Sequence, residues 1–81
     1  MNYRFDNATT VKFIAKQPPK QQQRIMAAIE ALPRGDTKFL QGTNGVCRLR
    51  VGDYRVVYTI DWIDKVIVVH NIGNRGDVYK G

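Results

Sequence analysis

The sequence predicts an α+β domain, with a strand and a helical hairpin packed on a small, mostly antiparallel sheet in the order β-α-α-β-β-β. Three observations lead there. Tyr3-Arg4-Phe5 alternates apolar and polar residues near the start. Apolar residues at helical spacing then fill the stretch up to Pro33. From Val46 onward, β-branched and aromatic runs are separated by turn residues. Segregated helices and strands of this kind make an α+β domain rather than a parallel α/β one.

The elements follow in order. After the Tyr3-Arg4-Phe5 strand, Asp6 or Asn7 is placed to cap a helix whose apolar face is Val11, Ile14 and Ala15. Gln17-Pro18-Pro19 ends it, because a residue before proline avoids the helical region. Proline is accepted in the first turn of a helix, so a second one starts near Pro19. Ile25, Ile29 and Leu32 recur along it with Met26 beside them, and Ala27, Ala28 and Ala31 favour the helix. Pro33 and Gly35 stop it. Residues 36–45, with Gly42, Asn44 and Gly45, read as a loop with a short extended piece at Phe39-Leu40. Residues 46–51 and 54–60 flank Gly52-Asp53, a two-residue hairpin turn. A second turn at residues 61–64 leads to a third β-rich run, 66–72, and residues 73–81 read as irregular.

Size and composition bound the function. A chain of 81 residues forms one domain, 1–81, with one modest core. No apolar run approaches the roughly 20 residues of a membrane span, and MNYRFDNATT lacks the apolar stretch of a secretory signal. A cytoplasmic location without membrane partners is the expectation. Cys47 is the single cysteine and His70 the single histidine, so neither has a companion at metal-ligand spacing. No cofactor or metal is expected. Thirteen Lys and Arg against seven Asp and Glu give +6. That balance suits a polyanionic partner, nucleic acid or an acidic protein.

The hairpin sharpens this reading. With Gly52 and Asp53 in the turn, Val51 pairs with Tyr54, Arg50 with Arg55, Leu49 with Val56, Arg48 with Val57 and Cys47 with Tyr58. One face then carries Cys47, Leu49, Val51, Tyr54, Val56, Tyr58 and Ile60, which is the face for the helices. The other carries Arg48, Arg50, Arg55, Val57 and Thr59. Like charges directly opposite in a sheet destabilise it. Nothing in folding asks for Arg50 against Arg55, whereas a bound polyanion relieves the repulsion.

The stretches CRLRVGDYRVVYTID and KVIVVHNIGNRGDVYK resemble the C-terminal half of the RelE/ParE toxin family. The shared pattern is a basic alternating strand, a tight turn, Tyr54-Arg55-Val56-Val57-Tyr58, and a strand running into Gly73-Asn74-Arg75-Gly76-Asp77-Val78-Tyr79. The preceding helical hairpin matches in position and length, so the resemblance covers nearly the whole chain. It implies a toxin of a type II toxin-antitoxin system, blocked by a cognate antitoxin protein. Operator DNA enters only through the antitoxin complex.

In the RelE branch the resemblance implies a metal-independent endoribonuclease. It acts in the ribosomal A site, among messenger and ribosomal RNA, and cuts the message by attack of its own 2′-hydroxyl. That chemistry needs a proton acceptor, charge on the phosphorane and help for the leaving 5′-oxygen. The family's active residues carry over to Arg48, Arg50, Arg55, Arg75 and Tyr79. Arg55 is implied to stabilise the phosphate, Arg75 to stabilise charge or assist the leaving group, and Tyr79 to stack on a base or orient the nucleophile.

The chain also departs from the pattern. Some relatives carry lysines where this chain has Arg48 and Arg50, and arginine does not give up its proton. The general base is therefore left among the ribosome, water, Tyr79 and His70. His70 stands two residues before Ile72, which places both on one strand face, the helix-packed one if Ile72 is core. Asn74 stands where relatives often have a basic or histidine residue, and the extra C-terminal helix that some relatives carry is not expected here. Two other readings share the fold: a ParE-like inhibitor of DNA gyrase, and an inactive module that binds antitoxin and co-represses an operator.

Tyr54 and Tyr58 are expected in the core and Cys47 on the packed face as a small hydrophobe. Trp62 is expected to cover a sheet edge or meet the antitoxin. Lys12, Lys16, Lys20 and Arg24 are expected on a solvated helix face.

Overall fold

The computed structural model describes residues 1–74. The chain runs β1 (Asn2–Phe5), α1 (Ala8–Ala15), α2 (Pro19–Ala31), β2 (Thr37–Phe39), β3 (Cys47–Val51), β4 (Tyr54–Asp61) and β5 (Val66–Asn74). The five strands form one sheet in the order β1-β5-β4-β3-β2. All pairs are antiparallel except β1 with β5, which are parallel.

Asn7 rather than Asp6 caps α1. Its backbone is extended and its side chain accepts from the Thr10 amide at 3.1 Å, satisfying one of the free amides at the helix start. The buried face of α1 is Thr10 and Ile14, with Phe13 partly buried. Val11 (48 % exposed) and Ala15 point outward, which corrects the expected face. Thr10 is buried because its hydroxyl has partners, the Asn7 carboxamide and the His70 carbonyl. Helix α2 begins on Pro19 as expected, and Ile25, Ile29 and the capping Leu32 enter the core. Burying each such side chain contributes about 1.5–3 kcal/mol.

The β3–β4 register matches the expected one pair for pair, Val51 with Tyr54 through Cys47 with Tyr58. Gly52, at φ 58°, supplies the positive φ that a two-residue hairpin needs at its first central position. Leu49, Val51, Tyr54, Val56 and Tyr58 are buried with Ile67, Val69 and Ile72 of β5, and Cys47 and Ile60 pack at the margin. Tyr54 donates to the Gln17 carboxamide at 2.8 Å, and Tyr58 hydrogen-bonds Thr37.

Two differences from expectation concern the sheet. Residues 36–45 contain a real strand, β2, paired with β3 from Thr37 opposite Leu49 to Phe39 opposite Cys47. The Leu40 amide donates to the Val46 carbonyl and closes the glycine-rich loop between them. The sheet therefore has one strand more than the expected order. At the far end, β5 runs on through Gly73 and Asn74, two residues expected to be irregular.

Candidate functional site

The helices cover one face of the sheet, and the residues that alternate with the core make up the other. The strand register places Lys38 of β2 opposite Arg48 of β3, which is opposite Val57 of β4, which is opposite Asn71 of β5. The next row toward the hairpin is Arg50, Arg55 and Gly73. In the other direction lie Thr59, Val68 and Arg4. Five cations thus share this open face.

Their environments differ. Lys38, Arg50 and Arg4 are exposed, whereas Arg48 and Arg55 are half-buried. Among the described residues none of the five forms an ion pair. The Nε atoms of Arg48 and Arg55 are shielded from solvent yet have no hydrogen-bond partner there. A buried donor left unpaired costs about 1–3 kcal/mol, and more when charged. Val57, between these two arginines on the face, is only 7 % exposed. The arrangement suits a flat or extended polyanion, with guanidinium donors held close to the sheet. At the β2 margin a cleft of about 450 Å³ is lined by Lys38, Phe39, Leu40, Gln41 and Arg48.

His70 is also on this face, which corrects the expectation that it shares the helix-packed face with Ile72. Tyr58 pairs with Val69 and Val57 with Asn71, so His70 is the extra residue of a β-bulge. Strict alternation fails at that point. The cause lies in α1: the His70 carbonyl accepts from the Asn7 side chain at 3.1 Å and from the Thr10 hydroxyl at 3.4 Å. With its backbone drawn toward the helix cap, the imidazole emerges beside Thr59. Its Nε2 is 2.8 Å from Thr59 Oγ1 and its Nδ1 is 3.0 Å from an Asp6 carboxylate oxygen.

Of the residues carried over from the family, Arg48, Arg50 and Arg55 therefore come together on one open face. Arg75 and Tyr79 lie outside the described residues. Lys38 joins the site without having been placed there by sequence reasoning, and His70, a candidate base in the sequence, reaches this face through a bulge the sequence does not show. For Lys38 the available signal was the alternation of Thr37-Lys38-Phe39; for His70 there was none in the local pattern. Tyr54 and Tyr58 are core residues, as expected. Burial raises the Tyr58 pKa, opposed by its hydrogen bond to Thr37 and reinforced by Cys47. Lys12, Lys16, Lys20 and Arg24 are exposed, and Trp62 is 63 % exposed rather than packed on a sheet edge. Among the described residues no group of His, Cys, Asp and Glu is arranged to hold a metal, and no helix is long and apolar enough to cross a membrane.

Residues 6–79 match the family of ParE toxins of type II toxin-antitoxin systems, parDE. The chain belongs to the RelE/ParE toxin family. It is 31 % identical over 77 residues to a Methanocaldococcus jannaschii protein named as a candidate RelE1 toxin, with 86 % of each chain covered. Among solved structures, a chain of the archaeal RelE–RelB complex from Pyrococcus horikoshii superposes with TM-score 0.76 at 33 % identity, covering 95 % of this chain and 99 % of that one. A chain of the RelB–RelE antitoxin-toxin complex from Methanococcus jannaschii gives TM-score 0.70 at 22 % identity, over 93 % of this chain and 91 % of that one, a likeness of fold. The RelE-like toxin fold is thus shared along nearly the whole length. Family membership makes the open basic face, which the helices leave free, the first place to look for toxin chemistry.

Proposed function

We propose that this RelE/ParE-family protein is the toxin of a type II toxin-antitoxin pair and cuts messenger RNA in the ribosomal A site. The observation that carries the reading is the opposed Arg50–Arg55 pair with Arg48 beside it, none of the three in an ion pair among the described residues. A phosphodiester laid across this face supplies the counter-charge.

In the proposed reaction the 2′-oxygen of one nucleotide attacks the adjacent phosphorus and the bond to the 5′-oxygen breaks. The products are a 2′,3′-cyclic phosphate and a 5′-hydroxyl end. Arg48, Arg50 and Arg55 stabilise the charge that builds on the phosphorane, the largest single contribution available to a site of this kind. Arg75 assists the leaving oxygen and Tyr79 stacks on a base or orients the nucleophile. The ribosome holds the message for in-line attack, a contribution of placement rather than of chemistry.

The partner of this face at rest is a cognate antitoxin; the RelE–RelB complex of the Pyrococcus horikoshii relative supports an antitoxin partner. Charge argues for an antitoxin segment rich in Asp and Glu over the arginines. Operator DNA is reached only through that complex.

The test is induction of the protein in cells without antitoxin, followed by sequencing of 5′-hydroxyl RNA ends and by a reporter of DNA damage. New RNA ends in phase with codons, without a damage response, are expected. A damage response without new RNA ends moves the reading to gyrase poisoning, and neither signal from folded protein moves it to an inactive antitoxin-binding module.

A further inference from the structure

The arginines of the open face explain how charge is stabilised but not where the nucleophile's proton goes, since a guanidinium does not accept one. We propose that His70 is the general base of the cleavage reaction, oriented by Asp6. This inference rests on the ribonuclease reading above.

The geometry that carries it is a three-membered relay, Asp6–His70–Thr59. An ionised carboxylate only accepts hydrogen bonds, so the contact of 3.0 Å to Asp6 fixes the proton of a neutral imidazole on Nδ1. Nε2 is then left with its lone pair, and the group it meets at 2.8 Å is a hydroxyl, Thr59 Oγ1. A hydroxyl donating to Nε2 of a carboxylate-oriented imidazole is the arrangement that general-base removal of a hydroxyl proton requires. Thr59 occupies the place that a ribose 2′-hydroxyl takes when RNA lies on the face.

Position supports the same role. The bulge turns His70 onto the arginine face, and its neighbour Asn71 is paired with Val57. The backbone of the bulge is fixed from the opposite side, through the Asn7 and Thr10 contacts to its carbonyl. The imidazole is therefore oriented through Nδ1 and its main chain, with Nε2 left to exchange Thr59 for a substrate hydroxyl. The charged groups facing it are Asp6, between β1 and α1, and on the sheet Arg4 of β1, which pairs with Val68, and Arg55 of β4.

The step balances without a further reactant. The 2′-hydroxyl proton moves to His70 Nε2 as the oxygen–phosphorus bond forms and the bond to the 5′-oxygen breaks. The leaving oxygen takes a proton from water, and His70 returns its own proton to solvent.

The experiment is single-turnover cleavage of a message on stalled ribosomes across the range of roughly pH 5 to 8 in which imidazole ordinarily titrates. Wild-type protein is compared with His70→Gln and Asp6→Asn, each checked for folding by thermal melting. Glutamine keeps hydrogen-bonding capacity beside Thr59 but does not titrate in that range. His70→Gln is expected to lower the single-turnover cleavage rate by about 10²–10⁴-fold with little change in the half-saturating concentration, and to lose the rising acid limb of the pH profile. Asp6→Asn is expected to lower the cleavage rate by a smaller factor while keeping that limb, because the imidazole loses the carboxylate that orients it. A folded His70→Gln protein with the wild-type rate and profile overturns the inference and leaves the ribonuclease reading intact. If His70→Gln does not fold, a folded Asp6→Asn protein that cuts at the wild-type rate overturns it as well. Absence of cleavage by folded wild-type protein overturns both.

Discussion

Arg50 of β3 stands directly opposite Arg55 of β4, and neither is paired with a carboxylate among the described residues. Cross-strand like charges destabilise a sheet, on the order of 0.2–1 kcal/mol for such a pair. The effect is small because Arg50 is exposed and salt screens it. Arg50→Thr is therefore expected to raise stability at low salt by a few tenths of a kcal/mol, with the gain fading as salt is added. Thermal melts of the two proteins over a salt series measure it. A variant less stable than wild type at low salt means the pair is compensated in a way this reading omits.

Lys38 completes the row with Arg48, so it is expected to contact RNA phosphate rather than a base. Lys38→Ala should weaken binding of unrelated single-stranded RNAs to a similar degree. The slope of log affinity against log salt should fall in magnitude by about 0.7, one phosphate contact on a single strand. Fluorescence anisotropy at several salt concentrations gives both numbers. An unchanged slope removes Lys38 from the interface.

Asn7 has two tasks, capping α1 through Thr10 and holding the His70 carbonyl of the bulge. Asn7→Ala is expected to cost about 0.5–2 kcal/mol, the range for loss of a cap, and to reduce cleavage along with it because the bulge is released. Urea denaturation and the cleavage assay on one preparation test the two effects together. Lost stability with full activity means that the bulge holds its shape without Asn7.

Tyr58 ties the core to β2 through Thr37, and burial raises its pKa. A folded-state pKa above the unfolded value means that the stability contribution is intact below the unfolded pKa. It declines as pH rises through the folded value. The stability difference between wild type and Tyr58→Phe is therefore expected to be constant up to about pH 10, the ordinary tyrosine value, and to shift against wild type above it. Denaturation at pH values on either side of that point checks the sign. A difference that moves in favour of wild type at high pH contradicts it.

Ile29 is 1 % exposed at the centre of the α2 contact with the sheet. Ile29→Ala is expected to lose about 2–5 kcal/mol, a large share of the roughly 5–15 kcal/mol of a small domain. A chemical-denaturation midpoint close to wild type would mean that α2 is not essential to the core.

Much of the fold is legible in the sequence because its determinants are local. Gly52-Asp53 sets the β3–β4 register, and that register alone places Arg48, Arg50 and Arg55 together. Pro18-Pro19 separates the helices for a reason confined to neighbouring residues. The elements that escape the sequence have distant causes. Strand β2 lies among turn residues and exists because β3 is beside it. The side of α1 that turns inward is decided by Thr10 satisfying its hydroxyl on Asn7 and on His70, sixty residues away. The same contact makes the bulge, and the bulge moves His70 from the expected core face to the arginine face. Alternation along β5 gives no hint of it. Arg75 and Tyr79, legible only through family resemblance, lie outside the described residues.

The central claim, that the open arginine face cuts messenger RNA on the ribosome, is met most directly by primer extension on a message being translated in a reconstituted system. Wild-type protein is compared with Arg55→Gln and Arg75→Ala, each shown to be folded. The account predicts new 5′ ends at A-site codons with wild type, only when ribosomes are present, and their loss in both variants. Absence of new ends with folded wild-type protein, or undiminished cutting by both variants, would contradict it.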